Sequence, residues 1–130
     1  MTHLLCFGLG FSARVLAARL AARGWTISAT SRTAAGAAAI AAMGYRGWIF
    51  DGTSPLGDAA FDGVTHIVDS APPGAEGDPV IARNRPQLAA RTRQITWAAY
   101  LSTTGVYGDH AGGWVGEDTP LTPNTERGWK

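Results

Sequence analysis

Residues 4–13 read LLCFGLGFSA, an apolar run that ends in a pair of glycines and then opens into a helical pattern. The run Leu4–Phe7 is short and continuously apolar, as expected of a strand that is buried on both sides. From Phe11 to Arg23 the periodicity is helical, and Gly24 follows as a helix stop. One face of this helix would carry Phe11, Val15, Ala18 and Ala22. The segment therefore predicts a strand, a tight turn and a helix.

The same alternation continues along the chain. Further strands are predicted at Trp25–Ser31, Tyr45–Phe50, Val64–Asp69 and Trp97–Ser102. Helical segments are predicted at Ala34–Met43, at a single turn Asp58–Phe61, and from Pro79, capped by Asp78, to about Ile95 with a break or kink at Pro86. Everything after Gly108 is predicted to be a loop rich in glycine and proline.

Strands that alternate with helices indicate an α/β fold with a parallel sheet and helices on both faces. Right-handed crossovers favour a doubly wound, three-layer arrangement with the strand order 3-2-1-4-5. We expect residues 1–108 to form one domain. We expect residues 109–130 to form a loop that leads to a sixth strand and a C-terminal substrate region, both missing from this sequence.

Residues 8–13 read GLGFSA and match the pattern G-x-G-x-x-A between the predicted strand and helix. Gly8 permits the tight turn, Gly10 lets a pyrophosphate approach the backbone, and Ala13 lets the helix pack closely on the strand. At the helix start, Phe11 and Ser12 offer free N–H groups to phosphate. This context predicts a Rossmann-type dinucleotide site that includes Gly8, Gly10, Phe11 and Ser12.

The end of the second strand distinguishes the two nicotinamide cofactors. NAD sites usually place Asp or Glu about 20 residues after the glycines, where the carboxylate binds the ribose 2′-hydroxyl. Here Ser31, Arg32 and Thr33 occupy that position. The Arg32 guanidinium suits a 2′-phosphate and the two hydroxyls add donors, so NADP is predicted rather than NAD. The missing acid also disfavours a methyltransferase of similar fold and a FAD-binding domain, because both usually carry a carboxylate there.

Charge is unevenly distributed along the 130 residues, whose formal net charge is +1. No acidic residue precedes Asp51, whereas five arginines do: Arg14, Arg19, Arg23, Arg32 and Arg46. A locally cationic first half suits a small anionic ligand such as a dinucleotide. The near-neutral total argues against a nucleic-acid partner.

Other classes of protein are disfavoured by what the sequence lacks. No run approaches the roughly 20 apolar residues that span a bilayer, so no membrane association is expected. Cys6 is the only cysteine, so an internal disulfide is excluded and the cytoplasm is the default location. We expect Cys6 to be a small buried hydrophobe. His3, His66 and His110 lack the spacing of metal ligands, so no metal site is predicted.

Residues 101–108 read LSTTGVYG, and with this motif in view the chain resembles the short-chain dehydrogenase/reductase superfamily. The resemblance covers nearly the whole chain and points to the extended or atypical branch, the NAD-dependent epimerase/dehydratase-like proteins. Residues 117–120 (EDTP) and Pro123 match further segments of that branch. The resemblance implies that Asp51 contacts adenine, that Ser70 and Ala71 run along the cofactor ribose, and that Thr103 polarises the substrate oxygen.

The sequence departs from the family at its catalytic Y-x-x-x-K pair. Counting from Pro123 places the tyrosine position at Arg127, and the lysine position falls one residue beyond Lys130. An arginine cannot act as a proton donor at neutral pH. The resemblance therefore implies an N-terminal fragment, and it leaves two interpretations open. One is the NADP(H)-binding half of an oxidoreductase or epimerase/dehydratase-like enzyme acting on a carbonyl or nucleotide-sugar substrate. The other is a catalytically silent, redox-sensing NADP-binding module.

The fifth strand would form an open edge of the sheet, where a sixth strand normally pairs. An unpaired edge offers backbone N–H and C=O groups to another chain. We therefore expect a tendency towards a homo-oligomer.

Overall fold

The computed structural model describes residues 1–130. The strands are β1 (His3–Phe7), β2 (Thr26–Ser31), β3 (Arg46–Ile49), β4 (His66–Asp69) and β5 (Trp97–Tyr100). The helices are α1 (Phe11–Ala21), α2 (Ala34–Ala42), α3 (Pro79–Ala89) and α4 (Glu126–Trp129). Short 3-10 helices lie at Asp58–Phe61 and Thr104–Tyr107.

The five strands form one sheet in the order β3-β2-β1-β4-β5, and every neighbouring pair is parallel. The predicted α/β class and the order 3-2-1-4-5 are confirmed. Because all strands run in the same direction, their carboxyl ends meet at one edge of the sheet. In open sheets of this kind, ligands bind at that edge, where the strand order reverses.

Both faces of β1 are buried, and each face belongs to a different core. Alternate side chains point to opposite sides of a strand, so Leu4 and Cys6 pack with α1 and α2, whereas Leu5 and Phe7 pack on the side of α3. The first core contains Leu4, Cys6, Ala13, Ala17, Ile27, Ala29, Ile40 and Val68. The second contains Leu5, Phe7, Phe50, Leu56, Ala60, Phe61, Val64, Ile67 and Val80.

Cys6 is a buried hydrophobe, as predicted. Burial raises the pKa of its thiol to about 12, so the sulfur stays protonated and unreactive at neutral pH.

Helix α1 does not use the face that the sequence analysis singled out. The residues of α1 that are buried against the sheet are Ala13 and Ala17, while Phe11 is 88% exposed and Val15 is 43% exposed. Small side chains on the packed face let the helix axis lie close to the strands.

The predicted break of α3 at Pro86 is wrong, and so is the extension of this helix to Ile95; the alternative of a kink at Pro86 stays a prediction. The helix runs unbroken to Ala89, and the backbone N–H of Ala90 still donates to the Pro86 carbonyl (3.0 Å). Proline removes one N–H donor from a helix, and the other bonds of α3 tolerate that loss. The predicted start is confirmed, because Asp78 caps the helix and Pro79 follows it.

The last part of the chain also differs from the prediction. Strand β5 ends at Tyr100 rather than Ser102, and the segment after Gly108, predicted to be all loop, contains α4. Thr103 ends the extended backbone because its hydroxyl oxygen accepts from the Gly105 N–H (3.1 Å) and caps the 3-10 helix. None of the helices combines the length and the apolar character needed to cross a membrane.

Candidate functional site

An open cleft of about 710 Å³ lies at the carboxyl edge of the sheet. Its lining comes from the loops that follow β1, β2, β3 and β4. It includes nine of the residues predicted to contact a dinucleotide: Gly8, Gly10, Phe11, Ser12, Ser31, Arg32, Asp51, Ser70 and Ala71. Of the predicted contacts, Thr33 lies outside this lining, and its hydroxyl oxygen accepts from the Gly36 N–H (3.1 Å) to cap α2.

The turn after β1 is held by its neighbours on both sides. Gly8 has a φ of +84°, a conformation that favours glycine, and its N–H donates to the buried Thr30 hydroxyl (3.0 Å). On the other side, the Ser70 hydroxyl donates to the Phe7 carbonyl (3.0 Å). A Cβ at Gly8 would lie only 3.0 Å from the Ser70 Oγ. The glycine loop is therefore fixed in place by the ends of β2 and β4.

The first turn of α1 faces the cleft without a side-chain cap. Gly10 is the N-cap residue, and a Cβ built on it would meet nothing within 4 Å. The N–H groups of Phe11, Ser12 and Ala13 therefore have no partner from a capping side chain and remain available to a ligand. Uncapped N–H groups together with the positive end of the helix dipole make this position suited to phosphate.

Arg32 supplies a free cation to the same cleft. It follows β2, and its guanidinium takes part in none of the ion pairs of the chain. The adjacent positions are Ser31 and Thr33, so no carboxylate lies at the end of this strand. A guanidinium without an internal partner can bind a phosphate through two parallel hydrogen bonds.

Asp51 places a carboxylate at the end of β3. The hydroxyl of Thr53 donates to its Oδ1 (2.6 Å), and so does the Thr53 backbone N–H (2.9 Å). These two hydrogen bonds hold the pKa of Asp51 below its usual value, so the group is an ionised acceptor at neutral pH.

The outer wall of the cleft is fastened to α3 by Arg83. Its Nε donates to the Gly52 carbonyl (3.0 Å), and its terminal nitrogen pairs with Glu76 (3.0 Å). Gly74 and Gly77 form an isolated bridge within the same loop. One arginine thus joins the loop after β3 to the loop after β4.

Asp69 is a buried acid that sequence reasoning missed; it precedes the cleft residue Ser70 and does not itself line the cleft. It ends β4 and is only 6% exposed, and its Oδ1 accepts from the Ala71 N–H (2.9 Å). Burial, and then the neighbouring Asp78 carboxyl, raise the pKa of Asp69 to about 7. The only sequence signal was a charged residue at the end of a buried apolar strand. The acid is connected to the cleft through its hydrogen bond with Ala71, which lines it.

A second, smaller cavity of about 290 Å³ adjoins the cleft. The two cavities share Ser70, Ala71, Pro72 and Leu101 as lining. Thr103 and Arg127 both line the second cavity, so the structure brings together the two positions at which the family resemblance expects catalytic groups. Because the Thr103 oxygen accepts from Gly105, its hydroxyl proton remains free for donation.

Helix α4 is held beside Thr103 by a close contact between two glycines. Gly128 is buried, and a Cβ on it would lie 2.6 Å from the Gly105 carbonyl oxygen and 2.9 Å from Pro123. No side chain fits at this position. Because Gly128 has no side chain, α4 packs closely on Gly105 and Arg127 lies at the rim of the second cavity.

No family model matches the sequence, and no curated protein sequence is significantly similar to it. Solved structures do match. A functionally unknown conserved protein from Silicibacter pomeroyi DSS is 48% identical over 99% of this chain, with a TM-score of 0.84. A short-chain dehydrogenase/reductase superfamily protein from Agrobacterium tumefaciens, solved with bound NAD, is 21% identical over 99% of this chain, with a TM-score of 0.67. The UDP-N-acetylglucosamine 4-epimerase from Bacillus cereus is 19% identical over 99% of it, also with a TM-score of 0.67.

The chain shares the Rossmann-type α/β fold of the Agrobacterium and Bacillus proteins. The resemblance that the sequence motifs indicated is thereby confirmed for the fold of the chain. This chain spans 45% of the Silicibacter protein, 41% of the Agrobacterium protein and 50% of the Bacillus epimerase. The chain therefore spans about half the length of each of these three proteins.

Substitution Asp69→Asn should flatten the dependence of stability on pH. The folded-state pKa of Asp69 is raised from 3.8 to about 7. Its stabilising contribution is therefore complete below the unfolded pKa and is lost as the pH rises through 7. Asparagine keeps an acceptor for Ala71 and a donor for Asp78 at every pH. At about pH 8 the variant should exceed the parent in free energy of unfolding by at least ~1.4 kcal/mol, the equivalent of one pKa unit.

The measurement is urea unfolding between about pH 5 and pH 8. Asp118→Asn, at an exposed position far from β4 in sequence, is the matched control and should leave the slope unchanged. Parallel curves for the parent and Asp69→Asn would contradict the assignment.

Proposed function

We propose that this chain binds NADP(H) as the cofactor domain of an oxidoreductase or epimerase/dehydratase-like protein that acts on a carbonyl or nucleotide-sugar substrate. The observation that carries the proposal is Arg32, an unpaired guanidinium that lines the cleft where NAD-specific sites usually place a carboxylate. The Agrobacterium protein with this fold has bound NAD, which supports a nicotinamide dinucleotide as the class of ligand.

The cofactor pyrophosphate would lie on the first turn of α1. Gly10 leaves open space at the position where any other residue would place a Cβ. The N–H groups of Phe11 and Ser12 would donate to the phosphate oxygens, and the helix dipole favours their negative charge.

The adenosine half would lie towards β2 and β3. Arg32 would pair with the 2′-phosphate, while Ser31 would donate from the end of the same strand. The ionised Asp51 carboxylate is an acceptor, and the adenine amino group is a donor. The Arg32 guanidinium would therefore bind the 2′-phosphate, and the Asp51 carboxylate the adenine amino group, of the same nucleotide.

The nicotinamide half would run past Ser70 and Ala71 towards the second cavity, since these two residues line both spaces. Thr103 would meet the substrate there. Its free hydroxyl proton can stabilise the negative charge that develops on a substrate oxygen during hydride transfer.

One observation favours a second candidate function, a catalytically silent NADP-binding module that responds to the redox state of the cofactor. Arg127, at which the family resemblance expects the catalytic tyrosine, lines the second cavity together with Thr103. A guanidinium keeps its protons at neutral pH and supplies none to a carbonyl oxygen. Such a module would keep the cofactor cleft and lack the proton donor.

Substitution Gly10→Val should abolish NADPH binding and leave the fold intact. The Gly10 backbone has φ −74° and ψ −170°, which valine adopts without strain, and no protein atom lies within 4 Å of the added Cβ. The isopropyl group would fill the space of the pyrophosphate. Calorimetry should show affinity lost by more than about 100-fold, or ~2.7 kcal/mol, with an unchanged circular dichroism spectrum. Unaltered affinity in the folded variant would move the phosphate site elsewhere.

Substitution Arg32→Gln should weaken NADPH binding and spare NADH. Loss of one charge-assisted phosphate contact costs about 1.5–3 kcal/mol, roughly a 10- to 150-fold change in Kd. Arg23→Gln removes the same charge at an exposed position after α1, away from the cleft, and should leave both cofactors unaffected. Equal calorimetric affinities of the parent chain for NADPH and NADH would refute the preference for NADP.

The two candidate functions differ in turnover. We expect the chain to bind NADPH yet oxidise none of it with a panel of carbonyl and nucleotide-sugar substrates, followed by absorbance. The lost general acid is typically worth about 10²- to 10⁴-fold in rate. Turnover above the blank that disappears in Thr103→Val would contradict catalytic silence and establish Thr103 as the catalytic hydroxyl.

A further inference from the structure

The side chains that line the second cavity carry more positive than negative charge. Its two cations are Arg127 and Lys130, and no aspartate or glutamate lines it. The Lys130 ammonium is paired with Glu126 (2.7 Å), whereas the Arg127 guanidinium has no ion-pair partner in the chain. One free cation therefore remains at a small cavity, and a bound anion would neutralise it.

The rest of the lining combines hydroxyl groups with apolar walls. Ser102 and Thr103 supply hydroxyls, and apolar surface comes from Pro72, Pro73, Leu101, Val106 and Trp129. A guanidinium fork binds a planar carboxylate through two parallel hydrogen bonds, which hydroxyl donors can supplement. Apolar walls suit a short carbon skeleton.

We propose that the second cavity binds the carboxylate of a small organic anion through Arg127, with Thr103 beside it, next to the nicotinamide end of the dinucleotide. The placement next to nicotinamide rests on the proposed function, whereas the anion site itself rests on the cavity alone. This assigns Arg127 a ligand-binding role in place of the proton transfer that its side chain cannot perform.

Net charge favours a carboxylate over a phosphate. One unpaired guanidinium balances one negative charge, and a carboxylate carries a single charge at neutral pH. A phosphate monoester carries nearly two. A second negative charge in this cavity would have to take Lys130 from Glu126. The glycine loop of the larger cleft, with its row of backbone N–H groups, is the better phosphate site.

The position of Arg127 is set by backbone packing and not by its own contacts. Gly128 packs against Gly105 with no room for a Cβ, and Thr125 caps α4 by accepting from the Gly128 N–H (3.1 Å). This packing fixes the backbone of α4 beside the cavity, and the Arg127 guanidinium has no ion-pair partner there, so its donors are free for a ligand.

The test uses oxamate, a small planar anion with one carboxylate, and oxamide, its neutral isostere. Each is titrated by calorimetry into the chain alone and into the chain saturated with NADPH, and inorganic phosphate is titrated in parallel. We expect one oxamate per chain and at least about tenfold weaker binding of oxamide, since the charged contact is lost. Phosphate should bind more weakly than oxamate in the NADPH-loaded chain, whose glycine loop is occupied.

Variants locate the site. Arg127→Gln should weaken oxamate by at least about tenfold and leave NADPH affinity unchanged, while Arg127→Lys, which keeps the charge without the fork, should fall between. Arg93→Gln removes an exposed arginine outside both cavities and should bind oxamate as the parent does. If Arg127→Gln does not fold, two other measurements still test the site. They are the difference in affinity between oxamate and oxamide, and the oxamate affinity of Arg127→Lys.

Each failure has a separate meaning. NADPH binding without oxamate binding would overturn the carboxylate site and leave the proposed function standing. Oxamate binding to a chain that does not bind NADPH would support the carboxylate site and overturn the proposed function. Equal binding of oxamate and oxamide, tighter binding of phosphate, or full affinity in a folded Arg127→Gln would each overturn the assignment.

Discussion

The structure depends on a central strand that is buried on both faces. Strand β1 pairs with β2 on one side and β4 on the other, and its alternating side chains join the two cores together. From Leu4 to Phe7 both faces of the strand are apolar, so these side chains offer no polar group to a ligand. The strand ends at Gly8, where Thr30 and Ser70 hold the turn, and the cleft opens there.

Much of the fold could be predicted because its local signals agree with its global arrangement. Continuous apolar runs indicated buried parallel strands, and glycines after the predicted helices indicated where those helices stop. The glycine loop and Arg32 could be placed because parallel strands carry their carboxyl ends to one edge. These positions follow from the topology of the sheet, and in the structure the glycine loop and Arg32 line the same cleft.

Other features depend on contacts between distant segments and left little trace in the sequence. The short helix α4 depends on the close packing of Gly128 against Gly105, which lies more than 20 residues earlier in the chain. Asp69 looked like the last residue of a strand, and its raised pKa arises from burial in the folded chain and then from Asp78, which the loop after β4 brings to it. The continuity of α3 through Pro86 likewise reflects tertiary packing, since Asn84 is fully buried beneath the loop at Leu56.

The strip formed by Ser70, Ala71 and Pro72 is a common wall between the two cavities. A dinucleotide that shifts this wall necessarily reshapes the neighbouring space, and an occupant of that space acts back on the dinucleotide. Thermodynamic linkage makes the two effects equal: whatever factor one ligand applies to the affinity of the other is returned unchanged. Any coupling between ligands in the two cavities would therefore pass through this short shared stretch of backbone and would be felt equally on both sides.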